Sequence, residues 1–568
     1  MSDFMYQFKK WKAYKDLGAD LAKELEAIDG NEDEIKERFS YPLSFGTAGL
    51  RGIIRAGTNG MNIYTIAQAT QGLSKLVLEN GGAERGVVIA SDTRIKSDEF
   101  SEISARVLAA NGIKVFIFDA PRPTPELSFA LRHLGAIAGI NITASHNPSI
   151  YNGYKAYWED GAQISPEQAD VVSAAINSVD IFEGVKTISF EDGVKAGLIN
   201  VIGNEIDEEY LKVVLDERIR KEAIPEVADS FKIVYTPFHG TGRLLVPEVL
   251  RRAGIKHLFC VEEQMTPDGN FPTVKSPNPE DKAGFALGIE IAKREDCNLL
   301  IGTDPDADRV GVIVRTSDGE FLPLTGNQIG VMLLSYIIEA RKLGNKLPAN
   351  AAAVKSIVST KLADKICEKN GVTMVNVLTG FKFIGEKIKE WEADGKHTYI
   401  FGFEESYGYL SGTYARDKDA VCASMLITEM AAFYAKQGKS LYDVLCGIYE
   451  KYGYYKEGVA NIAFPGLEGL EAMKKRMSDL REDPPKEIAG YKVVAVADYE
   501  TGVITKECGC TISTGLPKSN VLSYTLENGD TIIIRPSGTE PKIKHYYLVS
   551  GTTEAETNSK LETYKAAF

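Results

Sequence analysis

Cysteine is scarce and its spacing is uninformative: seven in 568 residues, spread from Cys260 to Cys510, with only Cys508-Gly-Cys510 close together. An odd count with that spacing fits neither a disulfide framework nor a zinc ribbon, and reads as buried or incidental free thiols. Long apolar runs are missing too. The longest, around Ile329 to Ile338, is too short to span a bilayer, and MSDFMYQFKKWKAYKD at the start has no apolar signal core. No membrane partner is expected, and a reducing cytoplasm is the expected location. Basic charge is in deficit, 65 Lys and Arg against 79 Asp and Glu, a formal net charge of -14. Phosphate backbones attract basic surfaces, so no nucleic-acid partner is expected, although an acidic protein can still own a basic pocket. Collagen-like, mucin-like and low-complexity segments are absent as well, so disorder is expected only at the ends.

What remains is ordinary globular composition, 44% apolar and 25% charged. The length exceeds one hydrophobic core and, at roughly 150 residues per domain, suggests about four. Tyr6, Trp11, Tyr14, Leu17, Leu21 and Leu25 recur near helical spacing, predicting an amphipathic helix packed on its own core over the first thirty or so residues. A repeating order follows: a β-rich run, a polar or glycine-rich loop, a helix. Val87 to Ala90 precedes Ser97 to Asn111, Lys232 to Thr236 precedes Gly242 to Ala253, and Val354 to Val358 precedes Leu362 to Lys369. This alternation predicts an α/β class with largely parallel sheets, in domains 1–204, 205–320 and 321–452. Beyond Gly453 the pattern changes to antiparallel strands around the turn Asn528-Gly529, closed by a helix from Glu554. A smaller α+β domain, 453–568, is expected there.

Four loops carry chemistry. In GTDPDADRVGV, Gly302 to Val312, Asp304, Asp306 and Asp308 alternate after an apolar strand. Three carboxylates converging on one side repel unless a cation sits between them, and hard oxygen donors suit Mg²⁺ or Ca²⁺. An EF-hand fails, since Arg309 and Arg315 occupy its glycine and bidentate-acid places. A solvated acidic turn is the plainer alternative, but ligands in open α/β sheets sit where this loop does, at the end of a buried strand. Mg²⁺ is favoured because three protein oxygens leave coordination positions for phosphate or water. RPSGTEPKIK, Arg535 to Lys544, joins a guanidinium, the Ser537 and Thr539 hydroxyls, Gly538 and nearby lysines, which a phosphate dianion requires and a polar hairpin turn would equally satisfy. FGFEESYGYL, Phe401 to Leu410, sets Glu404, Glu405 and Ser406 among aromatics, suiting sugar hydroxyls. Adjacent glutamates in an extended run should point to opposite sides, against a glycosidase pair.

The fourth loop is TASHNPSIYNGYKAY, Thr143 to Tyr157. Neighbouring Ser145 and His146 can form a nucleophile and base only with difficulty, and no G-x-S-x-G elbow surrounds them. The company of the other three loops directs the reading elsewhere.

These loops, in this order, resemble the α-D-phosphohexomutase superfamily, the phosphoglucomutases and phosphomannomutases, from SFGTAGLRG at Ser44 to the phosphate loop. The resemblance implies four domains around a central cleft, three α/β and the last smaller. It implies that Ser145 is carried as a phosphoserine, and that Asp304, Asp306 and Asp308 hold Mg²⁺ with a phosphoserine oxygen. It further implies that Glu404 and Ser406 grip sugar hydroxyls, with Thr379, Gly380 and Lys382 also at the substrate. Arg535, Ser537, Gly538 and Thr539 would hold the phosphate that is not reacting. Arg51 and Arg309 would stabilise charge at Ser145. For the general base the resemblance favours Lys418, with Lys155, His146 and Lys382 as alternatives or supports; simple phosphate pairing stays open for each lysine.

The reaction implied interconverts glucose 1-phosphate and glucose 6-phosphate through a glucose 1,6-bisphosphate that turns around in the site. Small-molecule sugar phosphates are the partners expected. The Glu-Glu-Ser-Tyr-Gly spelling resembles the glucose-preferring branch. Phosphopentomutase, phosphomannomutase and sugar-bisphosphate synthase are the alternatives within the superfamily. Outside it stand a metal-dependent phosphatase, which would release inorganic phosphate without a bisphosphate primer, and a non-catalytic sensor, which would survive Ser145→Ala.

Overall fold

The computed structural model describes residues 3–47, 49–464, 467–537 and 542–568. Four sheets organise them: three α/β domains with mixed sheets, and a further sheet-rich domain at the C-terminal end. By packing, the chain divides into two compact units. One is Met1–Leu324 with Gly408–Gln437; the other is Thr325–Tyr407 with Gly438–Phe568.

The first unit begins with helices rather than one long helix. Asp3–Ala13 ends before Gly18, and Ala19–Ala27 and Glu32–Phe39 follow. Gly18 interrupts the helical pattern expected here, and folding the segment back lets Phe8, Trp11, Leu21, Leu25, Ile35 and Phe39 close one small core. Tyr6, counted in the apolar stripe, is exposed instead.

The first sheet runs Leu50–Ile53, Tyr151–Trp158, Ala138–Ile142, Val87–Ser91, Val115–Phe118, Ile199–Ile202. Its last four strands are parallel; the first two are antiparallel. Val87–Ser91 and Ala138–Ile142 are buried throughout, as continuous apolar strands covered on both faces must be. The second sheet repeats this plan. Leu299–Thr303, Lys232–Thr236 and His257–Cys260 are parallel, while Val310–Arg315 and Phe321–Pro323 turn back antiparallel. In both sheets a hairpin leaves the parallel centre at the C-terminal end of a strand, and that is where Ser145 and Asp304 lie. Helix Ala420–Ala435, capped by Asp419, packs against Leu299–Thr303 and Val310–Arg315. Its first residue is tied to the aspartate loop, Ala420 N–H donating to Ala307 O at 3.2 Å.

In the second unit, Thr373–Val377, Ala351–Ser356 and Thr398–Glu404 form a parallel sheet. The C-terminal sheet is antiparallel along its length. Its order is Tyr454–Ala463, Lys542–Gly551, Thr531–Pro536, Leu522–Leu526, Tyr491–Asp498, Val503–Lys506, Thr511–Ser513. Helix Glu554–Ala567 covers its first two strands. Val358 joins Val521, Ile533, Tyr546 and Leu548 in a shared apolar cluster, which fastens the two domains of this unit together.

The cysteine reading needs one correction. Cys260, Cys297, Cys367, Cys422 and Cys446 are free, but Cys508 is disulfide-bonded to Cys510. Gly509, at φ +75°, turns the chain so that their Cα atoms stand 5.4 Å apart, within disulfide reach. Among the described residues no helix is long and apolar enough to cross a membrane.

Candidate active site

Ser145 follows strand Ala138–Ile142 in a left-handed conformation, φ +53°. Its N–H donates to Thr143 Oγ1 at 2.8 Å, and Thr143 Oγ1 donates to Asp92 Oδ2 at 2.6 Å. Arg94, wholly buried beside Asp92, gathers the loop by donating to the carbonyls of Ser145, Asn147, Pro148 and Tyr151 at 2.5–3.0 Å. Four converging carbonyls against one guanidinium make the loop rigid, so the strained φ at Ser145 is held by its surroundings. Neither Asp92, Thr143 nor Arg94 stood out in the sequence. Asp92-Thr93-Arg94 ends a buried strand, which is the signal that could have found two of them.

The turn also reverses the expectation for His146. Its Nδ1 lies 3.2 Å from Ser145 Oγ, because a left-handed serine folds the next side chain back beside its own. No triad results: the charges around the imidazole are mainly arginines. Burial, with Arg309 and Arg51 next, depresses its basicity well below the ordinary histidine range.

Ser145 Oγ donates to Asp304 Oδ2 at 3.0 Å, so the serine loop and the aspartate loop meet. Asp304, Asp306 and Asp308 are buried, each offering an oxygen within 4.8 Å of the others, and among the described residues they are the one such group of potential ligands. Burial raises the Asp304 carboxyl far above the usual range, with Asp306 and Asp308 adding to it. Asp306 and Asp308 are equally buried but go the other way, held ionised by cations. Lys155 Nζ stands 2.7 Å from Asp306 Oδ2 and 3.4 Å from Asp308 Oδ2; Lys418 Nζ stands 3.0 Å from Asp308 Oδ2. Burial opposes the charge on Lys155, yet those two aspartates hold it raised. Thr124 Oγ1 donates to Asp306 Oδ2 at 2.8 Å. Asp306 Oδ1 and Asp308 Oδ1, both buried, accept no hydrogen bond. Buried carboxylate oxygens of that kind, beside a serine hydroxyl, fit a hard divalent cation.

Lys418 is positioned from behind. Asp417 Oδ1 accepts from its Nζ at 3.1 Å, and Tyr157 donates to Asp417 Oδ2 at 2.9 Å. Arg309 reaches Glu280 at 3.5 Å, and Arg51 donates to Asn147 Oδ1 at 3.2 Å. The Arg51 strand approaches closely because Gly49, at φ +75°, has Tyr154 O where a Cβ would be, 1.7 Å away.

The other predicted residues lie in the second unit. Glu404 ends its strand and accepts from Gly380 N–H at 2.7 Å; Gly380 has φ +124°. Ser406 is half-buried in a turn over residues 405–407, so the run past Glu404 is not extended as expected. Glu405 still goes its own way, accepting from Ser356 Oγ at 2.9 Å. Thr379 precedes helix Lys382–Asp394, and Lys382 Nζ lies 4.9 Å from the Phe383 ring. Arg535, near the end of its strand, is in register with Lys544, and Ser537 N–H donates to Lys542 O at 2.8 Å. Tyr546 couples the two loops electrostatically: burial first, then Glu405, pushes its hydroxyl up to about 12 against Arg535. Gly538 and Thr539 lie outside the described residues.

Three family descriptions match this chain in succession: phosphoglucomutase/phosphomannomutase α/β/α domain I over residues 42–181, domain II over 208–319 and domain III over 325–452. A phosphoglucomutase of Staphylococcus saprophyticus is 38% identical over 518 residues, 91% of this chain and 92% of its own. One of Staphylococcus epidermidis is 39% identical over 521 residues, with the same two coverages of 91% and 92%. The chain belongs to the phosphoglucomutase/phosphomannomutase family. Two solved structures share the fold. A protein described as a putative phosphomannomutase, from Thermus thermophilus, has a TM-score of 0.68 at 23% identity, covering 93% of this chain and 99% of its own. Parafusin from Paramecium has a TM-score of 0.68 at 17% identity, covering 92% and 95%. As a family member the chain is an enzyme of the phosphohexomutase class. Domain I of the family contains Ser145 and Lys155, domain II the three aspartates, and domain III Glu404, Ser406 and Lys418.

Proposed function

We propose that this phosphoglucomutase-type chain interconverts glucose 1-phosphate and glucose 6-phosphate, using Ser145 as the phosphoryl carrier. The observation that carries the reading is Ser145 Oγ at 3.0 Å from Asp304, in a buried carboxylate triad with unpartnered oxygens.

In the proposed cycle Ser145 begins as a phosphoserine. A free hydroxyl of the bound hexose monophosphate attacks its phosphorus; the P–Oγ bond breaks, the attacking hydroxyl gives up its proton, and glucose 1,6-bisphosphate results. The bisphosphate turns around, Ser145 Oγ attacks its other phosphorus, and the second monophosphate leaves. Such transfers depend on positioning and charge stabilisation. Arg51 and Arg309 supply positive charge in the serine's unit, and the rigid loop under Arg94 fixes the attacking direction. Lys418 is our candidate for the proton acceptor: paired as an ammonium with Asp308 and Asp417, it first passes its own proton to one of those carboxylates and then takes the one from the attacking hydroxyl. Glu404 and Ser406 accept and orient sugar hydroxyls, and Arg535 with Ser537 holds the idle phosphate. Mg²⁺, held by Asp304, Asp306, Asp308 and an oxygen on Ser145, would supply charge neutralisation at the transferring group. A cytoplasmic location accords with five free thiols.

The test is the intact mass of the purified chain before and after glucose 1,6-bisphosphate. The expected result is one phosphate increment mapping to Ser145, and a chain that releases inorganic phosphate while gaining none overturns the carrier role. Initial rates on glucose, mannose and ribose 1-phosphates test the sugar; a clear ribose preference sinks the glucose assignment.

A further inference from the structure

The Cys508–Cys510 pair takes no part in the phosphoryl chemistry. It lies at the turn between Val503–Lys506 and Thr511–Ser513, the outermost strands of the C-terminal sheet. Strands Tyr491–Asp498 and Leu522–Leu526 separate that hairpin from the strand bearing Arg535.

We propose that this pair is a reversible thiol–disulfide exchange site for low-molecular-weight thiols and disulfides of the glutathione class. Access comes first. Both cysteines are exposed, as is every residue from Thr505 to Ser513. Of the other thiols, Cys297, Cys367 and Cys422 are buried and Cys260 and Cys446 half-buried. Burial raises Cys260 and Cys297 to about 11 and Cys367 to about 12, and it raises Cys422 and Cys446 as well. Exchange needs an accessible thiolate, so an added disulfide meets Cys508 and Cys510 before any of these five.

Geometry comes second. The turn has hydrogen bonds of its own besides the bridge: Gly509 N–H donates to Lys506 O at 2.8 Å, and Lys506 N–H to Cys510 O at 2.9 Å. Cys510 N–H points at Cys508 Sγ, 3.4 Å away. Once one thiol is modified, its neighbour is therefore already in place to displace the adduct. A bridge over a single residue restrains the unfolded chain little, so the fold gains little from it and the bond stays exchangeable rather than structural.

The reaction balances without a further reactant. One thiolate attacks a sulfur of RSSR and releases RS⁻. The second thiolate attacks the mixed disulfide and releases the other RS⁻, closing Cys508–Cys510. Two electrons pass to RSSR, the two thiol protons go to the released thiolates, and a dithiol reductant reverses the sequence. Opening the bond loosens the edge strand Thr511–Ser513, whose ladder partner is Val503–Lys506.

The experiment uses the full chain, reduced, exposed to oxidised glutathione, then alkylated with iodoacetamide and peptide-mapped. Loss of both alkylations at Cys508 and Cys510 together, with no retained glutathione and full recovery in dithiothreitol, is expected. Cys508→Ser should instead retain one glutathione on Cys510. Amide exchange across 503–513 should be several-fold faster in the reduced chain. Continued alkylation of both thiols, adducts spread over the other five, or a wild-type chain that keeps a mixed disulfide would each overturn the assignment.

Discussion

The candidate residues fall into two halves, one in each compact unit, and the halves are built differently. Around Ser145, three buried aspartates are each answered by a buried cation, Asp92 by Arg94, Asp306 by Lys155 and Asp308 by Lys418, with Arg51 and Arg309 half-buried beside them. Around Glu404, Ser406, Arg535 and Ser537, all but Glu404 are half-buried, and they sit in turns and strand ends. The contrast suits what each half handles in the proposed cycle. A phosphoryl group in flight must meet fixed charges in a dry place, since reorganisation there raises the barrier and water competes for phosphorus. A sugar that must present first one end and then the other is better met by groups that can re-form their hydrogen bonds with either orientation.

The largest expected effect would break the first half outright. Ser145→Ala should abolish mutase turnover and the phosphate increment while leaving the circular dichroism spectrum unchanged; any retained mutase rate contradicts the carrier role. Asp306→Asn comes next. It keeps the volume and the Thr124 contact but removes the charge facing Lys155, so kcat should fall roughly 10²–10³-fold and Mg²⁺ binding by calorimetry should weaken. Unchanged metal binding would remove Asp306 from the ligand set.

A sharper test of the second half is Glu404→Gln. If recognition is its role, kcat/KM should fall about 10- to 100-fold, through KM more than kcat, as expected for loss of one charged hydrogen bond. A pure kcat effect would assign Glu404 to the chemistry instead.

The smallest effect concerns stability. Burial raises the Glu457 carboxyl from 4.5 to about 7, only partly offset by Thr360 and Lys355. The folded chain then holds that proton more tightly than the unfolded one. Its contribution is complete below pH 4.5 and disappears as pH rises through about 7. Glu457→Gln should raise the unfolding temperature at pH 8 by about 2–4 °C and leave it unchanged at pH 4; equal shifts at both values would exclude the titration.

Much of this was legible in one dimension because the chemistry is written in short contiguous loops. Asp304, Asp306 and Asp308 stand out by alternation at the end of an apolar strand as a group that could hold a cation, and each α/β segment is recognisable from strands that end in such loops. Three things were not legible. Arg94 reaches Ser145, 51 residues away, and Asp417 is reached by Tyr157 across 260, so no local pattern records either contact. The Ser145–His146 approach depends on one left-handed dihedral that adjacency does not reveal. The Cys508–Cys510 bond depends on a glycine turn whose conformation follows from the hairpin around it.

The sequence by itself determined the residue types on offer: a serine, three alternating carboxylates, adjacent glutamates among aromatics and an arginine just ahead of Ser-Gly-Thr, together with the alternation that makes the domains α/β. Only the tertiary structure decided their protonation and their neighbours. Asp304, Asp306 and Asp308 are the same residue type within five positions of one another. Yet burial and the two neighbouring carboxylates raise the first against the pull of Arg309, while Lys155 and Lys418, delivered by a strand and a helix start from elsewhere in the chain, hold the other two ionised.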